Sequence, residues 1–305
     1  FSIIVVDNAS TNHTTELLES IEKTSSNIEL IKNKENRGFA AANNIAMKKV
    51  SDVDYIALLN PDSWVEKDWL EQMVSAMEKN PQAGCCGAAE HPYDKTLPVA
   101  KEQLTSTKAG CWMGGGSFIL RKKALDSAEK KFETTGLFDE LYFMYTEDMD
   151  LTWRLQLAGY TIIKNNNAIW HHHGRKRSNE ATGWRVYYCS LNRIFILLKF
   201  GSSKQIRYSL WKYIQYFILG KRKKEKEQNM KEDMKKEDSR NNGKALRTKW
   251  ITRARKLFFM VRLVSAIIFH FPKVLQRRWH MKKHGIDYKK TDAWILETDG
   301  QLYGL

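Results

Sequence analysis

Residues 2–11 read Ser-Ile-Ile-Val-Val-Asp-Asn-Ala-Ser-Thr, a short continuous apolar run that stops at Asp7 and passes at once into turn-forming residues. Such a run predicts a strand buried on both faces with a polar residue at its carboxyl end, as in a parallel sheet. A helical pattern follows from about Thr14 to Lys23. A second strand over Ile28 to Ile31 leads to Asn36-Arg37-Gly38-Phe39 and a helix through Met47. The third strand, Tyr55 to Leu59, ends at Asn60-Pro61-Asp62, ahead of a helix over Glu66 to Met77. Three strand–helix units in succession predict an α/β fold with a Rossmann-like, mostly parallel sheet flanked by helices. Ligands bind such sheets at the carboxyl ends of the strands, the edge at which Asp7, Arg37 and Asp62 fall.

Further along, Tyr145-Thr146-Glu147-Asp148-Met149-Asp150-Leu151-Thr152 places three carboxylates at the start of a helix, whose periodicity is carried by Leu151, Arg154, Leu155 and Ala158 and which Gly159 closes. A carboxylate in a first turn is stabilised in its charged form by the helix N-terminus, which suits a base. Acidic residues are enriched there for stability alone, so the cluster by itself also reads as a helix cap. With Asp62 at a strand end, the two acidic stations suit a metal-bound diphosphate at one and removal of a proton at the other.

Val5-Val6-Asp7-Asn8-Ala9-Ser10, Asn36-Arg37-Gly38-Phe39-Ala40, Leu59-Asn60-Pro61-Asp62, Gly114-Gly115-Gly116, Phe138-Asp139-Glu140, Glu147-Asp148-Met149-Asp150-Leu151 and Ile169-Trp170-His171 occur in that order. In these pieces the chain resembles family 2 glycosyltransferases of the GT-A fold over residues 1 to about 200. The motifs are closest to those of bacterial rhamnosyltransferase-like enzymes that build surface polysaccharides. The resemblance implies that Asp7 meets the nucleobase of a nucleotide-sugar donor and Arg37 its ribose or diphosphate, with Asn8 and Gly38 beside them in the nucleotide-sugar site. Asn60 and Asp62 stand where the family has an Asp-x-Asp motif, with Asp62 binding Mg2+ or Mn2+ and His171 completing the metal site. Asp148 is implied as the catalytic base, with Glu147 orienting its neighbours, and Gly114, Gly115 and Gly116 as the acceptor side. The glycines read equally as a turn before a strand over Ser117 to Leu120. His171, His172 and His173 alternate faces on a strand, so at most two share one ion and the register is open to a one-residue shift.

The implied reaction is inverting transfer of a sugar, dTDP-rhamnose among the candidate donors, to a hydroxyl of a glycan or polyprenyl-linked acceptor in surface polysaccharide synthesis. A catalytically silent relative, or a basic module that binds anionic membrane or polymer, is the competing reading. No Ser-His-Asp arrangement and no Gly-Lys-Ser/Thr phosphate loop points to other common chemistries.

Charge divides the chain. Residues 1–220 hold 27 Lys and Arg against 25 Asp and Glu, whereas residues 240–290 hold 15 against one acid, Asp287, in a chain of net charge +15. This predicts a catalytic domain over 1–200 and a basic helical extension over 201–305, with an alternating-charge linker near 221–239. Trp250, Ile251, Ala254, Leu257, Phe258, Val261, Val264 and Ile268 step along a helix expected to end before Pro272, beside Arg253, Arg255, Lys256 and Arg262. Arg262 interrupts the best apolar run, so no span of a bilayer is expected. The helix reads either as lying on an anionic membrane surface, joined by the apolar stretch Leu210 to Leu219, or as packing on the catalytic core. Nucleic acid is the weaker partner for this charge. Cys85, Cys86, Cys111 and Cys189 have neither disulfide-framework nor zinc spacing, which predicts a reducing cytoplasm; the basic tail and a polyprenyl-linked acceptor add a peripheral place on the inner face of the plasma membrane as the expectation. Phe1 opens directly on a core strand, and members of the resembled family begin with one more strand–helix unit, so the chain reads as truncated at its N-terminus.

Overall fold

The computed structural model describes residues 1–92, 105–106, 113–114, 116–133, 136–172, 179–217 and 242–303. The expected linker near 221–239, His173 and Gly115 lie outside them. Two compact units are present: Phe1–Ile196 with Trp279–Asp287, and Leu197–Arg278 with Tyr288–Leu305.

In the first unit, β1 (Ile3–Asp7), α1 (Thr14–Thr24), β2 (Ile28–Lys32), α2 (Gly38–Met47) and β3 (Tyr55–Leu59) follow the predicted order within a residue or two. A short strand β4 (Ser63–Val65) precedes α3 (Trp69–Lys79), so the helix expected from Glu66 starts three residues later. Then come β5 (Ala83–Pro92), β6 (Thr105–Ser106), β7 (Ser117–Arg121), α4 (Lys122–Phe132), α5 (Glu147–Leu157), β8 (Thr161–His172) and the start of α6 (Asn179–Phe200).

The α/β class is the expected one, but strand pairing is mixed rather than mostly parallel. β1 and β2 pair in parallel as a sheet of their own, while β3, β7, β5, β8 and β4 follow one another in a second sheet, with β6 on β8. β7 is antiparallel to both β3 and β5, and β5 is parallel to β8. Hence β3, β5 and β8 all run the same way, and their carboxyl ends meet at one edge of the sheet. That edge is the one a doubly wound sheet offers to ligands.

Side chains alternate across the sheet, as the pleat requires. Cys85, Phe118, Leu120 and Ile162 face a core shared with Leu125 of α4 and Leu151 and Leu155 of α5. Their neighbours Cys86, Ile119 and Ile163 face the other way, onto Trp69, Met73 and Met77 of α3. The near-continuous apolar sequence of these strands is therefore the signature of burial on both faces.

The second unit is helical: the end of α6, α7 (Ser203–Phe217), much of α8 (Asn242–Lys283) and α9 (Tyr288–Tyr303). Ser202 at the head of α7 donates from N–H to Asp292 Oδ1 at 2.8 Å and from Oγ to Asp292 Oδ2 at 2.6 Å. Arg278 donates to the carbonyls of Leu198 and Gly201 at 2.9 and 2.6 Å, satisfying the free carbonyls where α6 ends. Trp294 and Ile295 of α9 are buried.

Two expectations for the tail are corrected. The helix does not stop before Pro272 but carries it in its interior. The lost N–H and ring clash cost about 3 kcal/mol, set here against buried side chains beyond the proline such as Val274 and Met281. Moreover, Phe258–Lys283 is long and apolar enough to cross a membrane by length and composition, and little of it is buried. Arg262 alone does not lower the hydropathy of so apolar a segment below that of a span.

Candidate active site

Asn8, in the turn after β1, is the hub of the first group of predicted residues. Its Oδ1 accepts from Arg37 N–H at 3.1 Å and from Asn33 Nδ2 at 3.0 Å, while its Nδ2 donates to Asn36 Oδ1 at 2.9 Å and Gly38 O at 3.3 Å. One amide side chain thus ties the β1 turn to the loop that opens α2. Arg37 caps that helix without spending its guanidinium on the cap. Asp7 is buried and turned inward: Oδ1 accepts from Ser10 N–H at 3.0 Å and Oδ2 from the Thr15 hydroxyl. These bonds hold its carboxyl below the usual carboxylate range. Asp7 therefore shapes the turn after β1.

Gly38 has φ +83°, and a Cβ there would sit 2.4 Å from Phe143 O. Phe39 N–H donates to that same carbonyl at 2.7 Å. The loop of Arg37 and Gly38 is thereby pressed against the segment that leads into α5. Asn44 of α2 adds a second tie, exchanging hydrogen bonds with the backbone of Phe138 at 2.8 and 2.9 Å and donating to Glu140 Oε1 at 3.1 Å.

The approach to α5 is unusual. Tyr145 and Thr146 both have positive φ, 68° and 77°, a pair of left-handed residues with side chains. Asn192 of α6 holds the turn by donating from Nδ2 to the carbonyls of Met144 and Tyr145 at 2.8 and 2.7 Å. The helix then presents Glu147 and Asp148. Asp148 is partly exposed, with Oδ1 accepting from Met149 N–H at 2.7 Å. Glu147 is buried, and its Oε2 has no hydrogen-bond partner among the described residues. Burial first, and the charge of Asp148 second, push its carboxyl up to about 8. Asp150, the third acid of the cluster, serves the fold. Fully buried, it pairs with Arg154 Nε at 2.7 Å, and Arg154 also donates to Leu137 O at 2.8 Å.

At the shared edge of β3, β5 and β8, the structure brings Asp62 together with a histidine one residue beyond the expected one. His172 Nε2 lies 3.2 Å from Asp62 Oδ2, and its Nδ1 lies 3.2 Å from Glu90 Oε1 at the end of β5. His171 points to the opposite face, as strand alternation demands. It is buried, its ring stacks on Trp64 at 3.8 Å and 7°, and its Nε2 is 3.1 Å from Glu66 Oε1. The pairing that fixes this register is Ser63 opposite His172 and Trp64 opposite His171. An acidic oxygen and an imidazole nitrogen side by side are a donor set that suits Mn2+ or Mg2+ with diphosphate oxygens completing the shell. Glu90 on the other ring nitrogen stands where a carboxylate would orient a metal-binding histidine. Neither Glu90 nor Glu66 stands out in sequence.

Asn60 N–H donates to Gly116 O at 2.9 Å, which places the glycine segment beside the Asn60-Pro61-Asp62 turn. A Cβ on Gly116 would meet Trp170 at 2.2 Å, so this glycine makes room for an aromatic ring, whereas Gly114 faces open space.

Residues 1–138 match the family model "Glycosyl transferase family 2", so this stretch carries a glycosyltransferase domain of that family. The poly-beta-1,6-N-acetyl-D-glucosamine synthase of Staphylococcus aureus is 27% identical over 165 residues, covering 52% of this chain and 40% of the synthase. The N-acetylglucosaminyl-diphospho-decaprenol L-rhamnosyltransferase of Mycobacterium tuberculosis is 23% identical over 213 residues, covering 56% of this chain and 66% of that protein. The chain thus spans less than half the length of the synthase. Among solved structures, the mannosyltransferase PcManGT from Pyrobaculum calidifontis, in complex with GDP-Man and Mn2+, has a TM-score of 0.47 at 15% identity, covering 99% of this chain and 78% of that one.

Proposed function

We propose that the protein is a nucleotide-sugar-dependent, inverting glycosyltransferase that extends a glycan or polyprenyl-linked acceptor in surface polysaccharide synthesis. The observation that carries this reading is the convergence of Asp62, Glu90 and His172 at the carboxyl edge of β3, β5 and β8, in a domain that also presents Asp148 at a helix N-terminus.

Asp62 and His172 Nε2 would hold a divalent cation, Mn2+ or Mg2+, and Glu90 would fix the imidazole through Nδ1. When bound, such an ion neutralises the charge of a departing nucleoside diphosphate. The Asn8 hub sets Arg37 and Gly38 in a loop suited to the nucleotide, with the Arg37 guanidinium as its cationic group. Asp148 takes the proton from the acceptor hydroxyl as that oxygen attacks the anomeric carbon and the carbon–oxygen bond to the diphosphate breaks. Glu147, held largely protonated at neutral pH, leaves the pair's negative charge on Asp148, where the Met149 N–H and the helix terminus favour it. Gly114 leaves room on the acceptor side.

The relatives suggest donors to try: one is named for N-acetylglucosamine polymerisation and the other for rhamnose transfer. Incubation of the full chain with Mn2+, a panel including dTDP-rhamnose and UDP-N-acetylglucosamine, and a polyprenyl-diphosphate-sugar acceptor should release nucleoside diphosphate with one donor. Absence of release with every donor, from protein whose fold is intact by circular dichroism, would favour a binding module instead.

The apolar side chains Phe258, Val261, Ile268, Phe269 and Trp279 are exposed along α8, in a segment rich in Lys and Arg. They support association of this helix with an anionic membrane, where a polyprenyl-linked acceptor would be met.

A further inference from the structure

Glu133 ends α4 in a left-handed backbone conformation, φ 50° and ψ 39°, which turns its side chain toward the last turn of α8, within the same unit. There it meets His280 and His284. His284 Nε2 lies 2.8 Å from Glu133 Oε1, and His280 Nδ1 lies 3.0 Å from Oε2. The two histidines are four residues apart, and His284 N–H bonds to His280 O at 3.1 Å, so the helical turn that places residues four apart on one face is kept past the last helical residue. His280 Nδ1 is buried and, although close to the carboxylate, makes no hydrogen bond among the described residues. One ligand atom from each of the three residues falls within 4.8 Å of the other two.

We propose that Glu133, His280 and His284 form a zinc site, distinct from the cation site of Asp62 and His172. Two imidazoles and a carboxylate are a borderline-soft set that Zn2+ takes with water in the fourth position. Zinc–ligand bonds of about 2.0–2.2 Å put the donors of one tetrahedral ion about 3.3–3.5 Å apart. The observed spacings therefore require small side-chain shifts and no backbone rearrangement. Lys283 is the competitor, its Nζ lying 2.6 Å from Glu133 Oε1. Nearly half exposed, it can leave the carboxylate for solvent when the ion enters. The ion would then cross-link the end of α8 to the cap of α4 and stabilise the folded chain by its binding energy.

The test is zinc uptake by the full chain after chelation, measured by elemental analysis of protein passed through a desalting column and by titration with Zn2+ alone. One zinc per chain is expected, retained in Asp62→Asn, with the melting temperature raised by zinc. His280→Gln and His284→Gln should each weaken binding by more than about tenfold, the loss that even an outer partner of a metal ligand causes. Lys283→Ala should tighten it, because the competing ammonium is gone. Zinc retention unaltered by both histidine substitutions, no retained zinc in the wild type, or weaker binding in Lys283→Ala would each overturn the proposal. The lysine variant keeps the test decisive if a histidine variant fails to fold.

Discussion

His172 Nε2 and Asp62 Oδ2 are 3.2 Å apart across the β4–β8 pair, with Glu90 on the other nitrogen of the same ring. Because neighbouring residues of a strand face opposite ways, this pairing assigns different roles to two adjacent histidines. Asp62→Ala and His172→Ala should each raise the Mn2+ concentration needed for half-maximal activity by about tenfold or more. His171→Ala should leave that requirement nearly unchanged and lower the melting temperature, through loss of its stack on Trp64. A metal titration of the three variants, with melting curves, checks the assignment; a shifted metal requirement in His171→Ala alone would return the ligand to the position expected from sequence.

Asp148→Asn keeps shape and removes basicity. Turnover should fall by about 10²–10⁴, while the affinity for donor nucleotide, read by titration calorimetry, stays within a few fold. Undiminished turnover would take Asp148 out of the proton transfer.

Glu147 titrates near 8 in the folded protein against an ordinary value of 4.5, so between these pH values the folded state binds a proton that the unfolded state has lost. Its contribution to stability is complete below pH 4.5 and is lost as pH rises through about 8. In Glu147→Gln this part of the pH dependence should vanish, making the variant more stable relative to wild type at pH 8.5 than at pH 5. Urea midpoints at the two pH values measure it, and parallel pH profiles for the two proteins would contradict the assignment.

Gly38→Ala meets both a positive φ and a backbone oxygen 2.4 Å from the new Cβ. A cost of about 1–3 kcal/mol is expected from the backbone conformation alone, with the collision added. Gly114→Ala, facing open space, should cost well under 1 kcal/mol in the same denaturation assay. Its effect belongs in the acceptor KM if that face receives the acceptor.

Binding to anionic vesicles should weaken as salt rises, since each basic residue near the surface contributes about 1 kcal/mol that is screened. Replacing Ile268 and Phe269 together by Glu should abolish flotation with the vesicles at any salt concentration. Equal recovery of this variant and wild type would mean that α8 does not meet lipid through these residues.

Apart from the short β4, the element order of the first 80 residues was legible because the other strands are short apolar runs closed by turn residues. Strand direction was not: an antiparallel β7 between β3 and β5 leaves no trace in an apolar run, since both pairings bury the same side chains. Asp148, Asp62 and Arg37 were visible as polar residues at element ends. Glu90 and Asn192 were hidden, one at the end of a long strand and the other inside a mostly apolar helix, because only three-dimensional pairing brings them to His172 and to the α5 turn. Asp7 was visible for its position, yet its hydrogen bonds to Ser10 and Thr15 give it a role that position alone does not reveal. The tail's charge could be counted from sequence, but the reach of its helix through Pro272 depended on side chains buried beyond the proline.

The two left-handed residues before Glu147 act as a wound spring, and Asn192 is its catch. Each such residue stores about 1–3 kcal/mol, and two hydrogen bonds from one amide keep it from relaxing. Releasing the catch, as in Asn192→Ala, would let the turn unwind and carry the paired carboxylates with it, so the aim of the proposed base, Asp148, is set from a helix that contributes none of its atoms.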